Sequence, residues 1–144
     1  MRIMTIDYGD ARTGLAVSDR TGTLTGEAWT VPERNAERMA ATIVREAAAR
    51  GVERLVLGLP KNMDGTEGPR AETCRAFAAL LQSQTTLPVV MWDERRTSVE
   101  AHAILHASGK RMKAHKKQVD AVAASLILEG YLGSPDYLRA CRAE

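Results

Sequence analysis

The sequence predicts an α/β protein built on a five-stranded mixed sheet with strand order 3-2-1-4-5 and helices on both faces. Two observations predict it: three extended segments follow one another at the N-terminus, and two further apolar strands then alternate with helical patterns. Sequential hairpins make the first three strands antiparallel. Right-handed crossovers place strands one, four and five parallel and side by side. The 144 residues suit a single domain spanning 1–144.

The strands are delimited by turn residues. Gly9, Gly14 and the segment DRTG punctuate the first three. The apolar run RLVLGLP is too short for a helix and is typical of a strand buried on both faces. The predicted strand segments are 2–7, 13–19, 24–30, 54–60 and 87–92.

Four helices are predicted from capping signals and apolar spacing. Asn35 is a good N-cap for the first, which Gly51 closes. Pro69 suits the first position of the second helix. A capping box of Thr97 and Glu100 opens the third. The last runs over about 117–130, where we expect Gly130 to stop it.

Acidic residues follow the strands that are predicted to be parallel neighbours. Asp7 ends strand one, and Asp93 and Glu94 end strand five. Ligands of open α/β sheets bind beyond the carboxyl ends of the strands. Asp120 falls within the apolar stripe of the last helix and near its N-terminal end. The four carboxylates are therefore candidates for one shared site.

Convergent carboxylates repel one another unless a cation neutralises them. An all-oxygen donor set suits Mg²⁺ or Mn²⁺, and such ions can drive phosphodiester cleavage without a side-chain nucleophile. Each acid also has a structural interpretation. Asp7 could cap the turn at Gly9, Asp93 or Glu94 could pair with arginines 95 and 96 or cap the next helix, and Asp120 could serve the helix dipole.

Positive charge is concentrated in one segment, although the net charge is only +2. Residues 109–119 contain five basic side chains and no acid: Lys110, Arg111, Lys113, Lys116 and Lys117. Such a cluster is typical of a phosphate-binding surface, and a solvated lysine-rich loop is the alternative. With two cysteines lacking CxxC spacing, and no signal-peptide or membrane-spanning pattern, we expect a cytoplasmic protein.

Four stretches resemble the YqgF family, also called RuvX, within the ribonuclease H-like superfamily that includes the resolvase RuvC. They are IDYGDARTGLAVSD, LVLGLPKNMDGTEGP, WDERRTSVEA and KKQVDAVAASLILEGYL, in the expected order along the chain. The resemblance implies a ribonuclease H-like fold. It also implies that Asp7, Glu94 and Asp120 are the catalytic, metal-binding acids, with Asp93 as a substitute or auxiliary for Glu94. RuvC-type resolvases carry an acid at the end of strand four, where this chain has Gly58, Leu59 and Pro60, so the resemblance implies that the acid has moved to strand five.

Contacts with substrate are expected at the same edge of the sheet. Gly9 could let the backbone approach a phosphate, Arg12 could contact it, and the polar loop PKNMDGTEG could position it. The alternatives are an ion pair for Arg12 and a simple turn at Asp64 and Gly65. The candidate substrate-binding residues, including the basic segment, are Gly9, Arg12, Asn62, Asp64, Thr66, Arg95, Lys110, Arg111, Lys113, Lys116 and Lys117.

The main functional hypothesis is a metal-dependent endonuclease acting on structured nucleic acid. The resemblance implies two substrates: four-way DNA (Holliday) junctions in recombination, or the precursor of 16S ribosomal RNA during 5′-end maturation. A junction is two-fold symmetric, so its paired cleavage favours a homodimer. The alternative is a non-catalytic nucleic-acid-binding ribonuclease H-like module in transcription or ribosome biogenesis. An actin-like phosphotransferase, which shares a D-x-G loop, would need a second domain for which 144 residues leave no room.

Overall fold

The structure, a computed structural model, describes residues 1–94 and 116–142, with the side chains of 1–94 and 121–141. The strands are β1 (Ile3–Asp7), β2 (Thr13–Ser18), β3 (Thr25–Val31), β4 (Arg54–Leu59) and β5 (Val89–Asp93). The helices are α1 (Ala36–Ala49), α2 (Pro69–Gln84), α3 (Lys116–Leu132) and α4 (Pro135–Arg142). The helix predicted to open at Thr97 and most of the basic segment lie outside the described residues.

The sheet has the order β3-β2-β1-β4-β5, as the sequence predicts. β1 pairs antiparallel with β2 and parallel with β4, β2 pairs antiparallel with β3, and β4 pairs parallel with β5. The carboxyl ends of β1, β4 and β5 therefore meet at one edge of the sheet, called the carboxyl edge below.

The two faces of the sheet carry separate apolar cores. Met4 and Ile6 of β1 pack with Leu55 and Leu57 of β4 against α1 and α2. The residues of the same strands that point to the other face, such as Ile3 and Val56, pack against α3 and α4. Successive side chains of a strand point to opposite faces, so odd-numbered residues of β1 face α3. The prediction of helices on both faces is confirmed.

The predicted signals at the ends of α1 and α2 are present. The Asn35 side chain accepts a hydrogen bond from the Arg38 amide at 2.9 Å, as an N-cap does. Gly51, with a φ of 67°, reverses the chain after α1, and the Val52 amide then donates to the Ala47 carbonyl. Pro69 begins α2.

The prediction that Gly130 stops the last helix is wrong. α3 continues through Gly130, which packs beside the Trp92 ring, to Leu132. Its start at Lys116 agrees within one residue with the predicted start at about 117. The additional helix α4 has a clear N-cap, since the Ser134 hydroxyl accepts from the Tyr137 amide at 3.2 Å.

Candidate active site at the carboxyl edge

Asp7 is the last residue of β1 and lies opposite Gly14 of β2. Its side chain belongs to the face covered by α3, because Thr5, two residues earlier, donates its hydroxyl to the Ala124 carbonyl at 2.7 Å. Asp7 is partly buried.

Gly58 of β4 is the neighbour of Asp7 on the other side of β1. The last pair of the β1–β4 ladder is Ile6 with Leu57, so Gly58 is one residue further towards the carboxyl edge. A Cβ atom built on Gly58 would lie 2.5 Å from the Glu94 Oε1 atom and 2.8 Å from the Ile127 Cδ1 atom. The carboxylate of Glu94 therefore occupies the place where any other residue would have a side chain.

Glu94 and not Asp93 lies on the same face as Asp7. Asp93 pairs with Leu59, whose side chain belongs to the core under α1 and α2. Directly paired residues of adjacent strands share a face. Trp92 belongs to the core under α3, and Glu94, which immediately follows β5, reaches back over Gly58 on that side.

Asp120 lies in α3 one turn before Ala124, and only its backbone is described. The direction of α3 follows from two contacts. Ile127 lies over Gly58 near the end of β4, and the Tyr131 hydroxyl accepts a hydrogen bond from Arg54 at its start. The N-terminal end of α3 is therefore directed towards the carboxyl edge. Among the described side chains, no three His, Cys, Asp or Glu residues form a cluster that could hold a metal.

The carboxylates at this edge influence a thiol in the opposite core. Burial is the main cause that raises the pKa of the Cys74 thiol to about 11; Arg70 opposes the rise, and the negative charges of Glu94, Asp7 and Asp10 add to it. Cys74 belongs to the core under α1 and α2. Negative charge is thus concentrated around the ends of β1 and β5.

Arg70, which sequence reasoning missed, holds the turn after Asp7. Its guanidinium donates to the Tyr8 carbonyl at 2.6 Å and pairs with Asp10 at 3.1 Å. The Tyr8 ring stacks on Phe77 with 3.9 Å between the centroids, and burial, followed by the charge of Asp10, raises the pKa of Tyr8. Its position beside Pro69 at the start of a helix at this edge was the available signal.

The same turn contains Gly9 and Arg12. A Cβ atom on Gly9 would collide with the Arg12 carbonyl oxygen, so this glycine lets the turn close on itself. The Gly9 amide also faces the Thr13 hydroxyl at 3.5 Å. The local role of Gly9 is therefore turn formation, whereas contact of Gly9 or Arg12 with substrate stays a prediction.

The polar loop after β4 is held by hydrogen bonds among its own side chains. Asp64 accepts from the amide and the hydroxyl of Thr66 at 2.9 and 2.6 Å, and the Asn62 amide group donates to the Thr66 hydroxyl at 2.9 Å. Gly65 has a φ of 91°, as the predicted turn at Asp64 and Gly65 requires. The loop lies between β4 and α2, hence at the carboxyl edge.

Several predicted site residues fall where less is described. Arg95, Lys110, Arg111 and Lys113 lie outside the described residues. Lys116 and Lys117 form the first turn of α3, of which the backbone alone is described.

A cavity of about 560 Å³ lies at the opposite edge of the sheet. It is lined by Arg2, Arg20, Arg50 and Glu53 together with the end of α1. Two of these arginines already have partners in the protein. Arg2 donates a hydrogen bond to the Arg50 carbonyl at 2.6 Å, and Arg50 forms ion pairs with Glu27 and Glu46. This cavity is separate from the carboxylates.

Comparison with known proteins assigns the family. Residues 1–134 match the family model described as "RuvX: Holliday junction resolvase". The chain belongs to the RuvX family. A relative from Halothermothrix orenii, described as "Putative pre-16S rRNA nuclease", is 44% identical over 136 residues, which cover 92% of this chain and 94% of the relative. RuvX-family membership makes this chain a member of a nuclease family.

Solved resolvases share the fold of this RuvX-family chain. The RuvC protein of T. thermophilus in complex with a Holliday junction substrate superposes with a TM-score of 0.60 at 14% identity, covering 91% of this chain and 94% of RuvC. The fowlpox virus resolvase in complex with Holliday junction DNA has a TM-score of 0.54 at 13% identity, covering 98% and 99%. The predicted ribonuclease H-like class is confirmed. Within the described residues, no helix is long and apolar enough to cross a membrane.

Proposed function

We propose that this RuvX-family chain is a divalent-metal-dependent endonuclease that cleaves phosphodiester bonds in structured nucleic acid. The observation that carries the proposal is the placement of Glu94 over Gly58, on the sheet face of Asp7 and at the carboxyl edge. Two carboxylates brought towards the same space repel each other unless a cation lies between or beside them. Membership in a nuclease family supplies the reaction class.

The donor set fits Mg²⁺ or Mn²⁺. Asp7 and Glu94 offer oxygen ligands only, and Asp120 would add a third carboxylate from the end of α3 that faces the carboxyl edge. Divalent ions of this kind supply activation of water and stabilisation of the leaving oxygen. The protein contributes support from the sheet: Asp7 through the β1 ladder, and Glu94 through its close packing over Gly58.

The residues proposed to position the substrate surround these acids. Arg12 in the turn after β1 and the loop of Asn62, Asp64 and Thr66 after β4 lie at the same edge as Asp7. A loop that is already ordered by its own hydrogen bonds loses little conformational entropy when it binds a phosphodiester. Basic side chains of the 109–119 segment would neutralise phosphates and make binding sensitive to salt.

The proposed substrate is either a Holliday junction or precursor 16S ribosomal RNA. The first corresponds to the description of the family and the second to the description of its relatives. Cleavage of a two-fold symmetric junction would favour a homodimer, while RNA trimming would not need one. We further propose that residues 1–144 form one domain and that the protein acts in the cytoplasm, where either substrate would be found.

The test compares wild type with Asp7→Asn on two labelled substrates, a four-way DNA junction and an RNA spanning the 5′ end of precursor 16S RNA, with Mg²⁺ or Mn²⁺. Cleavage by wild type but not by Asp7→Asn supports the proposal, and the preferred substrate selects between recombination and ribosome maturation. If wild type binds either substrate with no metal-dependent cleavage, the non-catalytic module is correct instead.

A further inference from the structure

Thr5 is a polar residue in an apolar row of the sheet. Its neighbours in register are Ala16 on β2 and Val56 on β4, and all three residues are fully buried. A valine would fill nearly the same volume, and its β-branched shape suits a strand equally well. Packing and strand propensity therefore give no reason for the hydroxyl.

The hydroxyl forms a specific bond to the helix above it. It donates to the Ala124 carbonyl at 2.7 Å, across 119 residues of sequence. A slide or rotation of α3 against β1 would break this bond. Such a shift is unfavourable, because it would leave a buried hydroxyl without a partner. Apolar contacts alone would tolerate such a shift better, because they have no preferred direction.

This bond sets the relative position of two proposed metal ligands. Asp7 is two residues beyond Thr5 along β1, about 6.6 Å towards the carboxyl edge. Asp120 is four residues before Ala124, about 6 Å along the helix axis. Because the N-terminal end of α3 points to the carboxyl edge, both steps go in the same direction. Backbone positions 7 and 120 therefore both lie about 6 to 7 Å from the Thr5–Ala124 contact on the side of the carboxyl edge.

We propose that Thr5 is a positioning residue that fixes the register of α3 on β1 and thereby brings Asp120 to the metal site of Asp7 and Glu94. The inference rests on the proposed function, since it assigns Thr5 a role in assembling that site. Groups hydrogen-bonded directly to metal ligands typically change metal affinity or activity by about 10- to 100-fold when removed. Thr5 acts one step further away, through the Ala124 carbonyl, so we expect an effect at or below the lower end of that range.

The test measures the Mn²⁺ concentration for half-maximal cleavage and the Mn²⁺ dissociation constant by calorimetry. The comparison covers wild type, Thr5→Val and Thr5→Ser. We expect Thr5→Val to raise both values several-fold, up to about tenfold. Thr5→Ser, which keeps the donor, should restore them to within about twofold of wild type. Equal values for wild type and Thr5→Val overturn the inference and leave the proposed function standing.

A matched control removes a different buried hydroxyl. Ser18 accepts from the Ile3 amide at 2.9 Å at the opposite end of β1, so Ser18→Ala loses a comparable bond far from the acids. It should leave the Mn²⁺ requirement unchanged, and an equal rise in Ser18→Ala would contradict the inference. If Thr5→Val does not fold, Thr5→Cys, with a weak donor of similar size, takes its place under the same criteria. Failure of wild type to bind Mn²⁺ or cleave would instead count against the proposed function.

Discussion

The Glu94 carboxylate lies 2.5 Å from the point where a side chain on Gly58 would begin. The space that a side chain at position 58 of β4 would fill is thus occupied by the carboxylate of a residue that immediately follows β5. The identity of residue 58 therefore determines whether Glu94 can reach the face of Asp7.

Gly58→Ala is expected to displace Glu94 and reduce cleavage by about tenfold or more, since the new methyl group would overlap the carboxylate. The methyl group would also approach Ile127 Cδ1. Adding Ile127→Ala removes that second clash and should not restore activity. Steady-state kinetics at saturating Mn²⁺ provide the measurement.

Gly130→Ala is the matched control for that substitution. Its Cβ atom would meet the Trp92 ring at 3.5 Å, an ordinary contact, and alanine is favoured over glycine in a helix by up to about 1 kcal/mol. We expect unchanged activity and equal or higher thermal stability. A loss of cleavage equal to that of Gly58→Ala would show that the Gly58 effect is not specific to Glu94.

Salt dependence tests the proposed role of the basic first turn of α3. Replacing Lys116 and Lys117 with alanine should weaken nucleic-acid binding and reduce the slope of log affinity against log salt by up to about 1.8. The Lys61→Ala variant, which alters a basic residue in the loop after β4, is measured alongside it. An unchanged slope in the Lys116 and Lys117 variant would contradict a phosphate contact there.

The turn between β2 and β3 should lose stability in acid. The Asp19 carboxylate accepts hydrogen bonds from the Thr23 amide at 3.0 Å and the Thr21 hydroxyl at 2.8 Å, and these bonds lower its pKa from 3.8 to about 2. A lowered folded-state pKa stabilises the fold above the unfolded value, and that contribution disappears as the pH falls through about 2.

The measurement is the melting temperature of Asp19→Ala against wild type between pH 7 and pH 2. The difference in melting temperature between wild type and Asp19→Ala should be largest near neutral pH and should decrease below pH 4. A deficit for Asp19→Ala that is constant down to pH 2 would refute the assignment.

The two cysteines should differ sharply in reactivity. Cys141 is exposed, whereas Cys74 is buried and burial raises its pKa to about 11. At pH 8 only about one Cys74 in a thousand would be a thiolate, even before access is considered. A disulfide-exchange reagent should label one thiol rapidly in the wild type and none in Cys141→Ser. Rapid labelling of Cys141→Ser would mean that the core under α1 and α2 opens readily.

The sequence allowed the sheet to be predicted because its signals were local and consistent. Hairpin punctuation, Asn35 and Pro69 all act within a few residues, and the right-handed crossover rule then fixed the strand order. The prediction failed at Gly130, where the contact with Trp92 overrides the weak helix propensity of glycine. Helix α4 was missed although Ser134 and Pro135 form an N-cap signal.

The site was only partly predictable for a geometric reason. Two consecutive acids stand at the end of β5, and the sequence alone does not show which of them faces α3. The pairing of Asp93 with Leu59 in the β4–β5 ladder shows that it is not Asp93. The space over Gly58 and the hydrogen bond between Thr5 and Ala124 are relations between distant segments. No local pattern encodes either one.

Asp7 and Glu94 are proposed to hold a divalent ion, and calorimetric titration with Mn²⁺ measures that binding without the need for a nucleic-acid substrate. Wild type is compared with Glu94→Gln and with Asp93→Asn, two adjacent acids that lie on opposite faces of the sheet. We expect Glu94→Gln to weaken Mn²⁺ binding by about tenfold or more and Asp93→Asn to leave it unchanged. Weakened binding in Asp93→Asn with normal binding in Glu94→Gln would contradict the proposal.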